Sequence, residues 1–89
     1  MEKEIKALAE AGKRAEAIRL AEEYLQRQEN DEAVLLLLGE LLYADGKMTD
    51  AMNKFNAVLR LNPENTKAQN YVTMIRNVLD YFCKDLLNP

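Results

Sequence analysis

Residues 32–63 read EAVLLLLGELLYADGKMTDAMNKFNAVLRLNP. In the run AVLLLLGELLYA, residues 33–44, Glu40 is the only ion. A run this apolar suits a membrane span, a buried strand, a core helix or a binding face, and the choice among them decides the fold. A spanning helix needs roughly 20 apolar residues, and this run is shorter and meets Asp45 at once. Leucine dominates it and β-branched residues are nearly absent, which argues against a strand and for a helix. Asp45-Gly46-Lys47 then breaks the helix, because glycine suits the left-handed position after a helix end. Ala51, Met52, Phe55, Val58, Leu59 and Leu61 resume helical spacing, up to Asn62-Pro63. Proline cannot continue the helix before it. The stretch is a pair of helices joined by a tight turn.

Further breaks fall at Gly12-Lys13, at Glu29-Asn30-Asp31 and at Asn65. Asp31 and Asn65 suit N-caps, since a short side-chain oxygen accepts the free N–H groups of a first turn. The expected helices are 2–11, 14–28, 32–44, 48–61 and 66–87. Ala17, Ile18, Ala21, Tyr24 and Leu25 mark the buried stripe of the second. Ala68, Tyr71, Val72, Ile75, Val78, Leu79, Phe82 and Leu86 mark that of the fifth. Glu2/Lys6, Glu23/Arg27 and Asp80/Lys84 are acid-to-base pairs at i, i+4 on exposed faces. Short connections make consecutive helices antiparallel.

The chain has 89 residues, enough for one domain, with 48% apolar and 30% charged residues. Net charge is −3 and the basic residues are dispersed, so neither a phosphate backbone nor an anionic membrane surface is an expected target. Cys83 is the single cysteine, which excludes an internal disulfide and fits a reducing compartment. The N-terminal segment MEKEIKALAEAGKR lacks the apolar core of a signal peptide, and a cytoplasmic protein is expected.

An internal repeat organises the helices. Gly12-Lys13 and Ala17 recur as Gly46-Lys47 and Ala51, Leu25 as Leu59, and Asp31 as Asn65, each at an offset of 34. Two helices per 34 residues is the spacing of the tetratricopeptide repeat, and residues 32–63 resemble that family closely. Leu35, Leu38, Gly39, Leu42, Gly46, Ala51, Phe55, Val58 and Pro63 stand at its signature positions. Residues 1–31 resemble a degenerate first unit. Ile5, Leu8, Gly12 and Ala17 match, Ala21 and Tyr24 exchange the large and small positions, and Glu29 stands for proline. Past Asn65, Thr73 and Asp80 replace the small residue and the glycine, so the last helix runs on as a cap. The expected fold is all-α: five antiparallel helices in a single domain, residues 1–89, with units at 1–31 and 32–65 and a capping helix at 66–87. The ending FCKDLLNP resembles the tail of small stand-alone bacterial proteins of this type, which implies a complete chain.

The residues offer little for catalysis. There is no histidine, and one thiol cannot form a zinc site. Gly46-Lys47 lacks the remainder of a phosphate loop, with Leu41 and Met48 where glycine and Ser/Thr are needed. Cys83 reads as an inert, partly buried thiol without an activating base, and Glu22/Glu23 as a solvated face. No enzyme, cofactor or metal is expected.

The resemblance implies a concave surface lined by the first helix of each unit. Its positions hold Ala33, Leu36, Glu40, Tyr43 and Ala44 in the second unit, and Lys67, Asn70, Met74, Asn77 and Val78 on the cap, with Tyr81 one turn on. The first unit contributes Glu2, Lys6, Ala9 and Glu10. One subfamily grips the C-terminal carboxylates of chaperones with Lys and Asn at two of these positions. Here those positions hold Glu2/Lys6, Leu36/Glu40 and Asn70/Met74, so that clamp is missing and Glu40 would repel a carboxylate. The implied role is a protein-interaction adaptor that binds a protein or peptide segment. Its expected partner-binding residues are Leu36, Glu40, Tyr43, Lys67, Asn70, Met74, Asn77 and Tyr81. The chain is expected to be a monomer or weak homodimer. Two other readings stay open: a homo-oligomerising scaffold that uses the same apolar face, and plain packing of Leu36, Tyr43 and Met74 against one another.

Overall fold

The computed structural model describes the backbone of residues 1–87 and the side chains of residues 1–81. Expectations about Phe82, Cys83, the Asp80/Lys84 pair and Leu86 rest on side chains outside that range. The helices are α1 (Glu2–Glu10), α2 (Arg14–Leu25), α3 (Glu32–Ala44), α4 (Met48–Leu61) and α5 (Thr66–Leu87), with no strand among the described residues.

The two tight turns are built alike. Gly12 and Gly46 have φ of +78° and +80°, a region that costs a residue with a Cβ. In the first turn Lys13 N–H donates to Leu8 O and Gly12 N–H to Ala9 O. In the second, Lys47 N–H donates to Leu42 O and Gly46 N–H to Tyr43 O. This is the Schellman pattern, which satisfies helix-end carbonyls and reverses the chain at once. Asp31 Oδ1 accepts from Val34 N–H, and Asn65 Oδ1 from Ala68 N–H, so both expected N-caps form. Asn62 is extended (φ −145°, ψ 92°), as the ring of Pro63 requires of its predecessor.

α2 is shorter than its composition suggests, ending at Leu25 rather than at residue 28. Gln28 N–H still reaches Tyr24 O, but Arg27 N–H turns to the same carbonyl and tightens the last turn. The Tyr24 hydroxyl donates to Asp31 Oδ2 at 2.8 Å, which ties the end of α2 to the cap of α3. Arg27 therefore lies beyond the helix, and the expected Glu23/Arg27 pair does not form. The Glu2/Lys6 pair does, at 3.2 Å. α1 ends at Glu10, one residue early.

Contacts at the helix ends set the topology. Arg14 at the start of α2 donates to Ala44 O at the end of α3, so these helices are antiparallel. Glu32 at the start of α3 meets Asn62, just past the end of α4, so these are antiparallel too. Glu32 also meets Asn65 at the start of α5, and Glu40 meets Tyr71 further along, so α3 and α5 run parallel. α1 packs on both α2 and α3. Neighbours on every side explain the greasy run: α3 buries Val34, Leu35, Leu38, Gly39, Leu41 and Leu42.

Gly39 and Phe55 are the closest joint in this core. A Cβ on Gly39 would lie 2.7, 2.9 and 3.0 Å from three atoms of the Phe55 ring, which is fully buried. The ring also stacks on Tyr71, with centroids 4.5 Å apart and planes 6° apart. Phe55 thus locks α3, α4 and α5 together. Replacing Phe55 with alanine is expected to lower the free energy of unfolding by about 3–5 kcal/mol. Urea denaturation checks this, and a loss below about 1 kcal/mol would contradict the packing described.

Candidate functional site

α1, α3 and α5 run parallel, with α1 packed on α3 and α5 joined to it through Glu32 and Glu40. The face expected for the site is the one these three helices would share. On α3, Leu36, Glu40 and Tyr43 fall at i, i+4 and i+7 along this face, and all three are half-buried. On α5, Lys67, Asn70, Met74, Asn77 and Tyr81 form one stripe, and all are exposed, Met74 by 44% and Tyr81 by 73%. Val78 in the same stripe is 36% exposed. Of the α1 residues expected here, Glu2, Lys6 and Glu10 are exposed and Ala9 is half-buried.

The structure joins two of the α3 residues to α5 through a residue not anticipated as part of the site, Tyr71. Its ring meets Tyr43 edge-on, with centroids 5.2 Å apart and planes 68° apart. Its hydroxyl donates to Glu40 Oε2 at 3.4 Å, a long hydrogen bond. Partial burial is the main cause that raises the Tyr71 pKa above its usual 10.0, and the Glu40 carboxylate adds to it. Tyr71 reads in sequence as one more residue of a buried stripe. The available signal is its hydroxyl, because a tyrosine turned inward usually finds a polar partner. Glu40 is the only ion in the run that α5 packs beside.

A second unanticipated group lies at the start of α3. Glu32 Oε2 accepts from Asn62 Nδ2 at 2.9 Å and from Asn65 Nδ2 at 2.8 Å. Both asparagines are already committed locally: Asn62 Oδ1 accepts from Glu64 N–H, and Asn65 Oδ1 caps α5. Each amide thus uses its oxygen on its own turn and its nitrogen on α3. The bonds from Asn65, then Asn62, hold the Glu32 pKa below its usual 4.5. This clamp fixes the register of α5 on α3 at one end of the face, and Tyr71 fixes it in the middle.

The side chains of Lys67, Asn70 and Asn77 make no hydrogen bond or ion pair among the described residues, so the structure leaves them facing solvent. No enclosed pocket lies among the described residues. Anything bound here would lie along an open surface. No helix among the described residues is long and apolar enough to cross a membrane.

Helix pairs repeated at 34 residues, joined by matching turns, define an α-helical repeat protein. Among known families, the tetratricopeptide repeat matches residues 3–66, well over half of the chain. The protein belongs to the tetratricopeptide repeat family, whose repeats generally mediate protein–protein interaction. The match covers α1 to α4 and stops where α5 departs from the pattern. No curated protein matches the chain in sequence.

The clamp makes a pH prediction. Glu32 has a lowered pKa in the folded state, so its contribution is present above pH 4.5 and is lost as the pH falls through the folded value below it. Glu32→Gln is therefore expected to be less stable than wild type at pH 7, with the gap narrowing below pH 4.5. Urea midpoints measured from pH 7 to pH 3 check this, and a gap independent of pH would contradict it.

Proposed function

We propose that the protein is an interaction module that lays a segment of a protein partner along the face of α1, α3 and α5. The observation that supports this reading most is the asymmetry of α5. Its flank away from α3 carries Gln69, Thr73, Arg76 and Asp80, all exposed and polar, as a terminal helix needs. Its other flank continues from Tyr71 into Met74 and Val78, which are apolar and exposed. A helix that only ended the array would be polar on both open flanks. Exposed apolar groups rimmed by Lys67, Asn70 and Asn77 have the composition of a contact surface, an apolar centre with a polar edge. The partner segment, extended or helical, would take apolar contacts from Leu36, Tyr43 and Met74. Glu40, Asn70, Asn77 and Tyr81 would orient it.

Leu36→Arg combined with Met74→Arg is expected to abolish retention of partners from native cell extract, with the helical circular dichroism of wild type kept. Thr73→Arg on the opposite flank is expected to leave retention unchanged. Equal retention by all three proteins would contradict the assignment of this face.

A further inference from the structure

We propose that the partner segment presents a lysine or arginine flanked by apolar residues, and that this cation seats on Glu40 between Leu36 and Tyr43. The inference rests on the face proposed above and names what it selects. Glu40 is half-buried on a helix that is otherwise almost wholly apolar. An ionised carboxylate offers about four acceptor positions. Among the described residues Glu40 receives a single hydrogen bond, the 3.4 Å one from Tyr71, and no cation pairs with it.

The cations of the same face do not serve Glu40. Lys6 is engaged by Glu2 at 3.2 Å. Lys67 is at the start of α5, where Asn65 meets Glu32, over a turn before Tyr71. A carboxylate half-removed from water and so sparsely bonded is matched best by a charged donor, since charge-assisted hydrogen bonds are the strong ones. Leu36 and Tyr43 stand one turn before and one turn after Glu40 on the same side of α3. They would cover the aliphatic stem of a lysine or arginine, and the Tyr43 ring would add a cation–π contact. The net charge of −3 favours approach of a basic segment and discourages an acidic one.

Phage display of random dodecapeptides against the immobilised protein tests this. Against wild type, the expected enrichment is of lysine or arginine with apolar neighbours. Against Glu40→Lys, it is of aspartate or glutamate in the same frame. For a selected basic peptide, Glu40→Gln is expected to weaken binding about tenfold, and norleucine in place of the basic residue should remove that difference. Fluorescence polarisation reads both. Peptides that show no charge preference but lose binding to the Leu36→Arg, Met74→Arg protein would overturn the pairing and leave the face standing. No enrichment, or enriched peptides indifferent to both sets of variants, would overturn both.

Discussion

The structure depends on how closely α4 approaches α3. Phe55 reaches α3 where Gly39 has no side chain, and no other residue type leaves room for the ring there. The same ring stacks on Tyr71 with nearly parallel planes, and so carries α5 as well. Tyr71 in turn stands at the edge of the shared face, where its ring meets Tyr43 and its hydroxyl reaches Glu40. One missing Cβ in α3 thus sets the position of α4, then of α5, then of two residues that line the proposed interaction surface. A larger residue at 39 would displace the ring or the helix, since close-packed interiors transmit a misfit rather than absorb it.

The first unit solves the same problem in reverse. The positions 34 residues before Gly39 and Phe55 hold Ile5 and Ala21, and both are fully buried. Ile5, which reads in sequence as a match to the pattern, thus stands where the second unit has its glycine, with the bulk on the first helix and the small residue on the second. Tyr24, unusually large for its position, points its hydroxyl at Asp31 and joins the linkage between units. The departures that make residues 1–31 look degenerate are mutually compatible in the folded protein. Cores tolerate such exchanges when volume and pattern are kept.

Most of the fold was legible from local signals. The glycine turns, the two N-caps and Pro63 act within a few residues of themselves, and the 34-residue offset turns helix pairs into an array. The end of α2 was not legible, because Gln26, Arg27 and Gln28 favour continued helix, while the actual end is set by Tyr24 reaching Asp31. The clamp of Glu32 with Asn62 and Asn65 was hidden for the same reason. Each asparagine already had a sufficient local role in its turn, and the bond that ties each to α3 spans 30 residues or more. For the face, repeat position alone placed Leu36, Glu40 and Tyr43 on one side of α3. It did not reveal Tyr71, whose role depends on the height at which α5 passes α3.

The central claim is that Gly39 and Phe55 form one joint, and a double-mutant cycle tests it directly. Gly39→Ala should cost about 1–3 kcal/mol in the wild-type background, where the new Cβ meets the ring. In a Phe55→Leu background the clash is relieved and the better helix propensity of alanine, worth about 1 kcal/mol over glycine, should take over. The expected result is that the same substitution destabilises wild type and becomes neutral or stabilising beside Leu at 55, as read from urea unfolding. An equal cost of Gly39→Ala in both backgrounds would contradict the account.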